Sequence, residues 1–386
     1  MTPNRFIYLD NAATSFPKPE IVYQAVDKAL REESGNPGRS NHRLALSATR
    51  VVDEARMFCA RLFHVASPDS IVFTNNTTTA LNMAIRGTVS PGDHVITSSL
   101  EHNSVTRPLK YLADNGIEIT KIPTDLQTGL SLTALEQAVQ KNTKLVVCTH
   151  ISNVTGTVND IAAIGDFCQS KGILFLVDGA QSAGMCPIDV QKMKIDLFAF
   201  PGHKGLLGPQ GTGGLYIRPG LEIATLLQGG TGSVSESLEQ PHSTPGRYES
   251  GTLNIPGLAG LAAGVRYLLD VGISEVAKHE KNLTTRLIQG IARIPGITLI
   301  GPNDTTERGN PVSICFDRIS VADAALMMDA AFSIAVRGGL HCSADAHQTM
   351  GTLESGGTLR ISPGYLNTIE EIEQCLEALA ICAKGV

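Results

Sequence analysis

No stretch of the 386-residue sequence approaches the roughly 20 consecutive apolar residues that a membrane-spanning helix requires. No block of like charges occurs either, and the formal net charge is −6. The chain therefore lacks the basic footprint that would attract a nucleic acid or an anionic membrane. Its opening residues, Met1-Thr2-Pro3-Asn4-Arg5-Phe6, lack the basic-then-apolar pattern of a secretory signal. None of the eight cysteines forms a C-x-x-C pair. Their scatter argues against a zinc site or a disulfide framework and for a reducing compartment. No metal site is expected, and a soluble cytoplasmic protein is. Low-complexity tails and internal repeats are absent as well.

What the chain does have is length and a 42% hydrophobic composition, enough for two domains in one compact unit. Through the first two-thirds, short apolar runs alternate with helical periodicity. Strands are expected near 72–73 and at 94–98, 117–122, 144–152, 173–177 and 195–200. Helices are expected at 20–31, 80–85, 104–115 and 161–171, with Gly116 and Gly172 just past the last two. This alternation predicts an α/β fold with a mostly parallel sheet covered on both faces. Beyond about residue 256 the pattern becomes α+β, with helices at 260–269, 277–293 and 369–383 and strands at 297–300, 311–316 and 359–362. The expected division is a large domain over 15–257 and a small one over 258–386 joined by residues 1–14.

Ligands on such sheets bind at the carboxyl ends of the strands, and the polar residues gather in those turns. Phe200-Pro201-Gly202-His203-Lys204-Gly205 ends an apolar strand. A lysine placed there can be desolvated, which lowers its pKa and frees the amine for a Schiff base; most lysines in glycine-rich turns are simply solvated. Asp178 follows another apolar run, and a buried carboxylate needs a cationic partner, such as the pyridinium nitrogen of pyridoxal 5′-phosphate (PLP); helix capping is the plainer use of such an Asp. Thr77 and Thr78 precede a helix whose free N–H groups would suit a phosphate. His102 could stack on an aromatic ring. Each feature alone is weak, but the four fall along one α/β chain as phosphate turn, ring histidine, ring-nitrogen aspartate and Schiff-base lysine.

With these residues in place, the sequence resembles the class V (fold-type I) PLP-dependent enzymes, and among them the group II cysteine desulfurases and selenocysteine lyases. The likeness runs from Tyr8-Leu9-Asp10-Asn11-Ala12-Ala13-Thr14 to the last helix. It implies a PLP-binding large domain, a small domain and a homodimer with active sites at the subunit interface. Carried onto this chain, it implies that Lys204 bonds the cofactor, that His203 and the Thr77–Thr78 turn hold its phosphate, and that Asp178 pairs with the ring nitrogen. Gln181 would bond the phenolic oxygen, and His102 would stack and shuttle protons. Asn153 would lie near substrate and ring, Asn11 would contact substrate, and Thr252 would reach the partner subunit's phosphate. Arg337-Gly338-Gly339-Leu340-His341-Cys342 resembles the segment carrying the nucleophilic cysteine, in a loop expected to be accessible and electropositive with His341 beside the thiol. Arg360 resembles the arginine that grips the substrate carboxylate with its planar fork.

Two departures stand out. Pro201 replaces the usual Ser, removing a hydroxyl and an N–H from the phosphate site. Only about 17 residues separate Cys342 from Arg360, too few for a long loop that carries sulfur to a distant scaffold. The expected reaction is conversion of L-cysteine to L-alanine, with sulfur left on Cys342 as a persulfide for an acceptor. L-selenocysteine as substrate, another class V transamination or lyase reaction with Cys342 a bystander, and a non-catalytic sulfur-transfer partner are the alternatives.

Overall fold

The computed structural model describes residues 6–33, 35–38, 40–232, 236–304 and 308–385. Its centre is a seven-stranded sheet in the order Ile71–Thr74, Gly213–Ile217, Leu197–Pro201, Leu174–Asp178, Thr143–Thr149, His94–Ser98, Glu118–Ile122. Gly213–Ile217 runs antiparallel to both neighbours, and the other pairings are parallel. The apolar strands are buried on both faces, which is why they read as unbroken hydrophobic runs. Alternate residues go to opposite sides. Phe175, Val177, Phe198 and Phe200 join one core, while Leu176, Leu197 and Ala199 join the other. Phe63 sits 5.1 Å from the Phe198 ring and 5.0 Å from that of Phe200.

A third core belongs to an antiparallel four-stranded sheet, Arg337–Gly339, Thr358–Ile361, Val312–Phe316, Ile297–Ile300. Ile7 and Leu9 enter this core, and Ile7–Tyr8 pairs with Ile334–Ala335. The N-terminal segment thus packs with this core. The boundary at 257, by contrast, cuts off a helix that stays with the large domain. Helix Ile255–Val271 packs against helices Glu20–Glu32 and Arg43–Leu62, and its Leu258, Leu261, Val265 and Leu268 lie in the large core. The small core begins with Leu283 of the next helix, Ile273–Ile291. Among the described residues no single helix is long and apolar enough to cross a membrane, and no group of side chains is arranged to hold a metal ion.

Candidate active site

Five turns at the carboxyl edge of the sheet converge on one cavity of about 230 Å³. Strand Ile71–Thr74 leads into helix Thr77–Thr88, where the Asn76 side chain accepts the Thr79 N–H at 2.9 Å. The Thr77 hydroxyl lies buried at the cavity wall without a partner. Thr78 bonds Ser104 at 2.7 Å, and Ser104 in turn pairs with His102 at 2.9 Å. The Ser104 N–H donates to His102 Nδ1 at 3.0 Å, so the ring proton sits on Nε2. Burial, with Lys204, Arg337 and Arg360 nearby, pushes the His102 pKa down to about 4 and keeps the ring neutral near pH 7.

Strand Leu174–Asp178 ends in the buried carboxyl of Asp178, which accepts the Ala180 N–H at 2.9 Å. Burial raises its pKa, with Lys204 acting in the opposite sense. Gly179 follows because a Cβ there would fall 2.2 Å from the Phe198 ring. Strand Leu197–Pro201 leads to His203 and Lys204, both lining the cavity. Lys204 has its pKa lowered to about 8, first by burial and then by Arg360. His203 is held near 4 by burial and by Lys204 and Lys18. Pro201 ends its strand opposite Gly213. Having neither hydroxyl nor N–H, it offers the site no donor. Beneath the cavity, Glu101 is fully buried and accepts from Ser98 at 2.5 Å and from the Thr149 N–H at 2.9 Å. Burial pushes its carboxyl up to about 8.

The small domain closes the cavity with Arg360, Arg337 and His341. Arg360 is 1% exposed, donating from Nη2 to Asp10 at 2.7 Å and from Nη1 to the Asn153 carbonyl at 3.1 Å. Its Nε–H has no partner, so the edge formed by Nε and the second Nη2 hydrogen is what remains for a carboxylate.

Other predicted positions are placed differently. Asn11 does not line the cavity. Its amide donates to the Ser362 carbonyl at 3.1 Å and to Asn367 at 3.1 Å and accepts the Phe16 N–H at 3.2 Å, so it ties the N-terminal segment to the small domain. Asn153 lines the cavity, but its amide is committed to the cysteine loop, donating to the His341 carbonyl at 2.8 Å and accepting from Ser343 at 2.8 Å. Thr252 is exposed and lines a separate hollow with Tyr248 and Leu253.

Cys342 is exposed and lies beside the cavity rather than in it. It lines an adjoining groove, and the two spaces share Thr78, His102 and Ser104. His341 does not supply the expected positive neighbour. Its ring is buried against Thr358 at 3.0 Å, and burial with Arg360 close by drives its pKa to about 2. The cation at the thiol is Arg337, which donates to the Cys342 sulfur at 3.7 Å. Both His341 and Cys342 have left-handed backbone, φ 50° and 57°. Asn103 donates its N–H to the Cys342 carbonyl at 2.8 Å, so three consecutive residues of the loop are pinned.

Comparison with known proteins decides the kinship. The family described as Aminotransferase class-V matches residues 7–375. This chain belongs to that family. A relative named probable cysteine desulfurase, from Methanothermobacter thermautotrophicus, is 38% identical over 379 residues, spanning 97% of this chain and 94% of its own. A similarly named protein of Pyrococcus abyssi is 36% identical over 98% of this chain and 95% of its own. The apo structure of a cysteine desulfurase from Thermococcus onnurineus NA1 superposes with a TM-score of 0.92 at 34% identity, covering 99% of this chain and 95% of that one. An Escherichia coli cysteine desulfurase bearing an S-sulfonic acid gives 0.86 at 29% identity over 98% and 95% of the two chains.

Class-V enzymes depend on PLP, and this cavity fits the cofactor on its own evidence. Ten buried side-chain atoms lack a hydrogen-bond partner among the described residues, and five of them belong to residues lining this one cavity: Thr77, Gln181, His203, His341 and Arg360. Unpaired buried polar atoms are costly and rare. Hydroxyl, amide, imidazole and guanidinium groups gathered around one space match a ligand with a phosphate, a phenolic oxygen and a carboxylate-bearing substrate.

Proposed function

We propose that this chain is a PLP-dependent cysteine desulfurase that converts L-cysteine to L-alanine and holds the released sulfur on Cys342. The observation that carries the reading is the shared wall of Thr78, His102 and Ser104. It sets an exposed, arginine-flanked thiol beside a cavity built for an amino acid and its cofactor.

Thr77, the start of its helix and His203 would hold the cofactor's phosphate, Asp178 its ring nitrogen, Gln181 its phenolic oxygen and Lys204 its aldehyde carbon, with His102 against the ring face. When bound, the cofactor supplies an electron-withdrawing ring that stabilises negative charge at the substrate Cα. Arg360 orients the substrate through its carboxylate. Lys204 Nζ, with a pKa near 8, holds or releases a proton close to neutral pH and is suited to take the Cα proton. The Cys342 thiolate, steadied by Arg337, attacks the substrate sulfur. A sulfur–sulfur bond forms, the substrate Cβ–S bond breaks, and its electron pair stays with the carbon fragment, which is protonated to alanine. The exposed Thr252 fits a role at the partner's phosphate in a homodimer, and a reducing cytoplasm would keep the thiols free.

The test is alanine release from L-cysteine and L-selenocysteine by PLP-loaded wild type and Cys342→Ala. Loss of at least about 100-fold with cysteine in the mutant is expected, since the nucleophile is removed. Selenocysteine turnover should fall far less, because selenium leaves more readily. Undiminished cysteine turnover in Cys342→Ala would overturn the role of Cys342, and a keto-acid product would overturn the reaction.

A further inference from the structure

The groove beside Cys342 holds about 430 Å³ and is lined by Asn82, Arg86, Asn103, Arg107, Pro108 and Tyr111 besides the residues it shares with the cavity. That volume lies in the range of small-molecule sites. Arg86 lies over the Tyr111 ring at 5.0 Å. Arg86 and Arg107 are exposed, and among the described residues no carboxylate lines the groove. Arg86 and Arg107 thus line the same groove as Cys342, whose sulfur Arg337 contacts, in a protein whose net charge is −6.

We propose that this groove binds the sulfur acceptor, and that the acceptor is a low-molecular-weight thiol bearing carboxylates. The inference rests on the desulfurase reading. Charge selects the class, because a thiolate attacking a persulfide brings two anions together. Arginines on the approach reduce that repulsion and anchor the carboxylates. Geometry selects the size. The thiol is pinned through His341, Cys342 and Ser343, and helix Ala344–Met350 fills the segment behind it. The acceptor must therefore come into the groove. In the transfer step the acceptor thiolate attacks the outer sulfur of the Cys342 persulfide. A new sulfur–sulfur bond forms on the acceptor, the bond to Cys342 Sγ breaks, and Cys342 departs as the thiolate. Two anions enter and two leave, with no external oxidant or reductant. The acceptor's thiol proton goes to solvent beforehand.

The experiment uses PLP-loaded enzyme persulfidated with L-cysteine and then freed of it. Loss of the extra sulfur from Cys342 is followed by mass spectrometry after adding mercaptosuccinate, a dianionic thiol, or 2-mercaptoethanol, a neutral one. In Arg86→Gln/Arg107→Gln the second-order rate with mercaptosuccinate should fall about tenfold, while that with 2-mercaptoethanol stays within about twofold. Arg86→Lys/Arg107→Lys should recover most of the difference, and 0.5 M salt should erase it in wild type. Equal changes with the two thiols, or none with either, would overturn the inference and leave the desulfurase reading standing. Failure to form the persulfide at all would remove both, and the two failures are told apart at the loading step.

Discussion

The cofactor cavity and the cysteine loop lie side by side but are built on opposite plans. Around the cavity, Thr77, Gln181 and His203 each keep a buried polar atom without a partner. In the loop, the His341 and Cys342 carbonyls and the Ser343 hydroxyl are taken up by Asn153 and Asn103, and only the His341 ring, which faces the cavity, keeps an unpartnered Nδ1. Unmet hydrogen bonds mark where a ligand belongs, and met ones mark where the protein fixes its own shape. Asn153 lies on both sides of this contrast, since it lines the cavity yet bonds the loop through both its amide nitrogen and its amide oxygen.

Mutations on the two sides should separate. His203→Ala, on the cavity side, is expected to weaken PLP retention by about 10–100-fold, the loss of a hydrogen bond to a charged group. Equilibrium dialysis would measure this, and the alkylation rate of Cys342 should stay unchanged. Asn153→Ala, on the loop side, removes two hydrogen bonds worth about 1 kcal/mol each. We expect roughly a tenfold drop in persulfide formation, with PLP affinity within about threefold. If PLP binding fell as much as sulfur transfer, the two regions would not be separable. Ser343→Ala removes only one of those bonds and should cost about threefold to fivefold in the same assay.

A separate effect concerns stability and not activity. In the unfolded chain Glu101 ionises near its ordinary 4.5, whereas in the fold it keeps its proton up to about 8. The fold therefore holds its full stability below pH 4.5 with respect to this group and loses some as pH rises toward 8. Glu101→Gln, neutral throughout, should gain several kcal/mol (up to about 5) relative to wild type at pH 9 and little at pH 4. Denaturant titration at the two pH values would measure it, and a gain of equal size at both would refute the account.

The same contrast governs what could be read from the sequence. Strands such as Leu174–Asp178 and Leu197–Pro201 announce themselves because burial on both faces demands unbroken apolar runs. The turns that follow them stand out as abrupt clusters of polar residues. Helix Arg43–Leu62 was not legible, because much of its buried face is Ala45, Ala48, Ala55 and Ala60, which give weak periodicity. Strand Gly213–Ile217 opens with two glycines, poor strand formers. They are needed because a Cβ on Gly214 would fall 2.4 Å from the Phe200 ring. The cysteine loop was legible as chemistry and not as shape. Nothing in Leu340-His341-Cys342 signals left-handed backbone, which non-glycine residues seldom adopt.

A sulfur carried on such a support can be handed over only within about one side chain's length of where it was loaded. The enzyme then acts as a fixed dispensing point, and its output is set by how often acceptors call at the groove. Under scarce acceptor the persulfide should accumulate on Cys342 and halt alanine production, so the cell's supply of acceptor would meter its demand on cysteine.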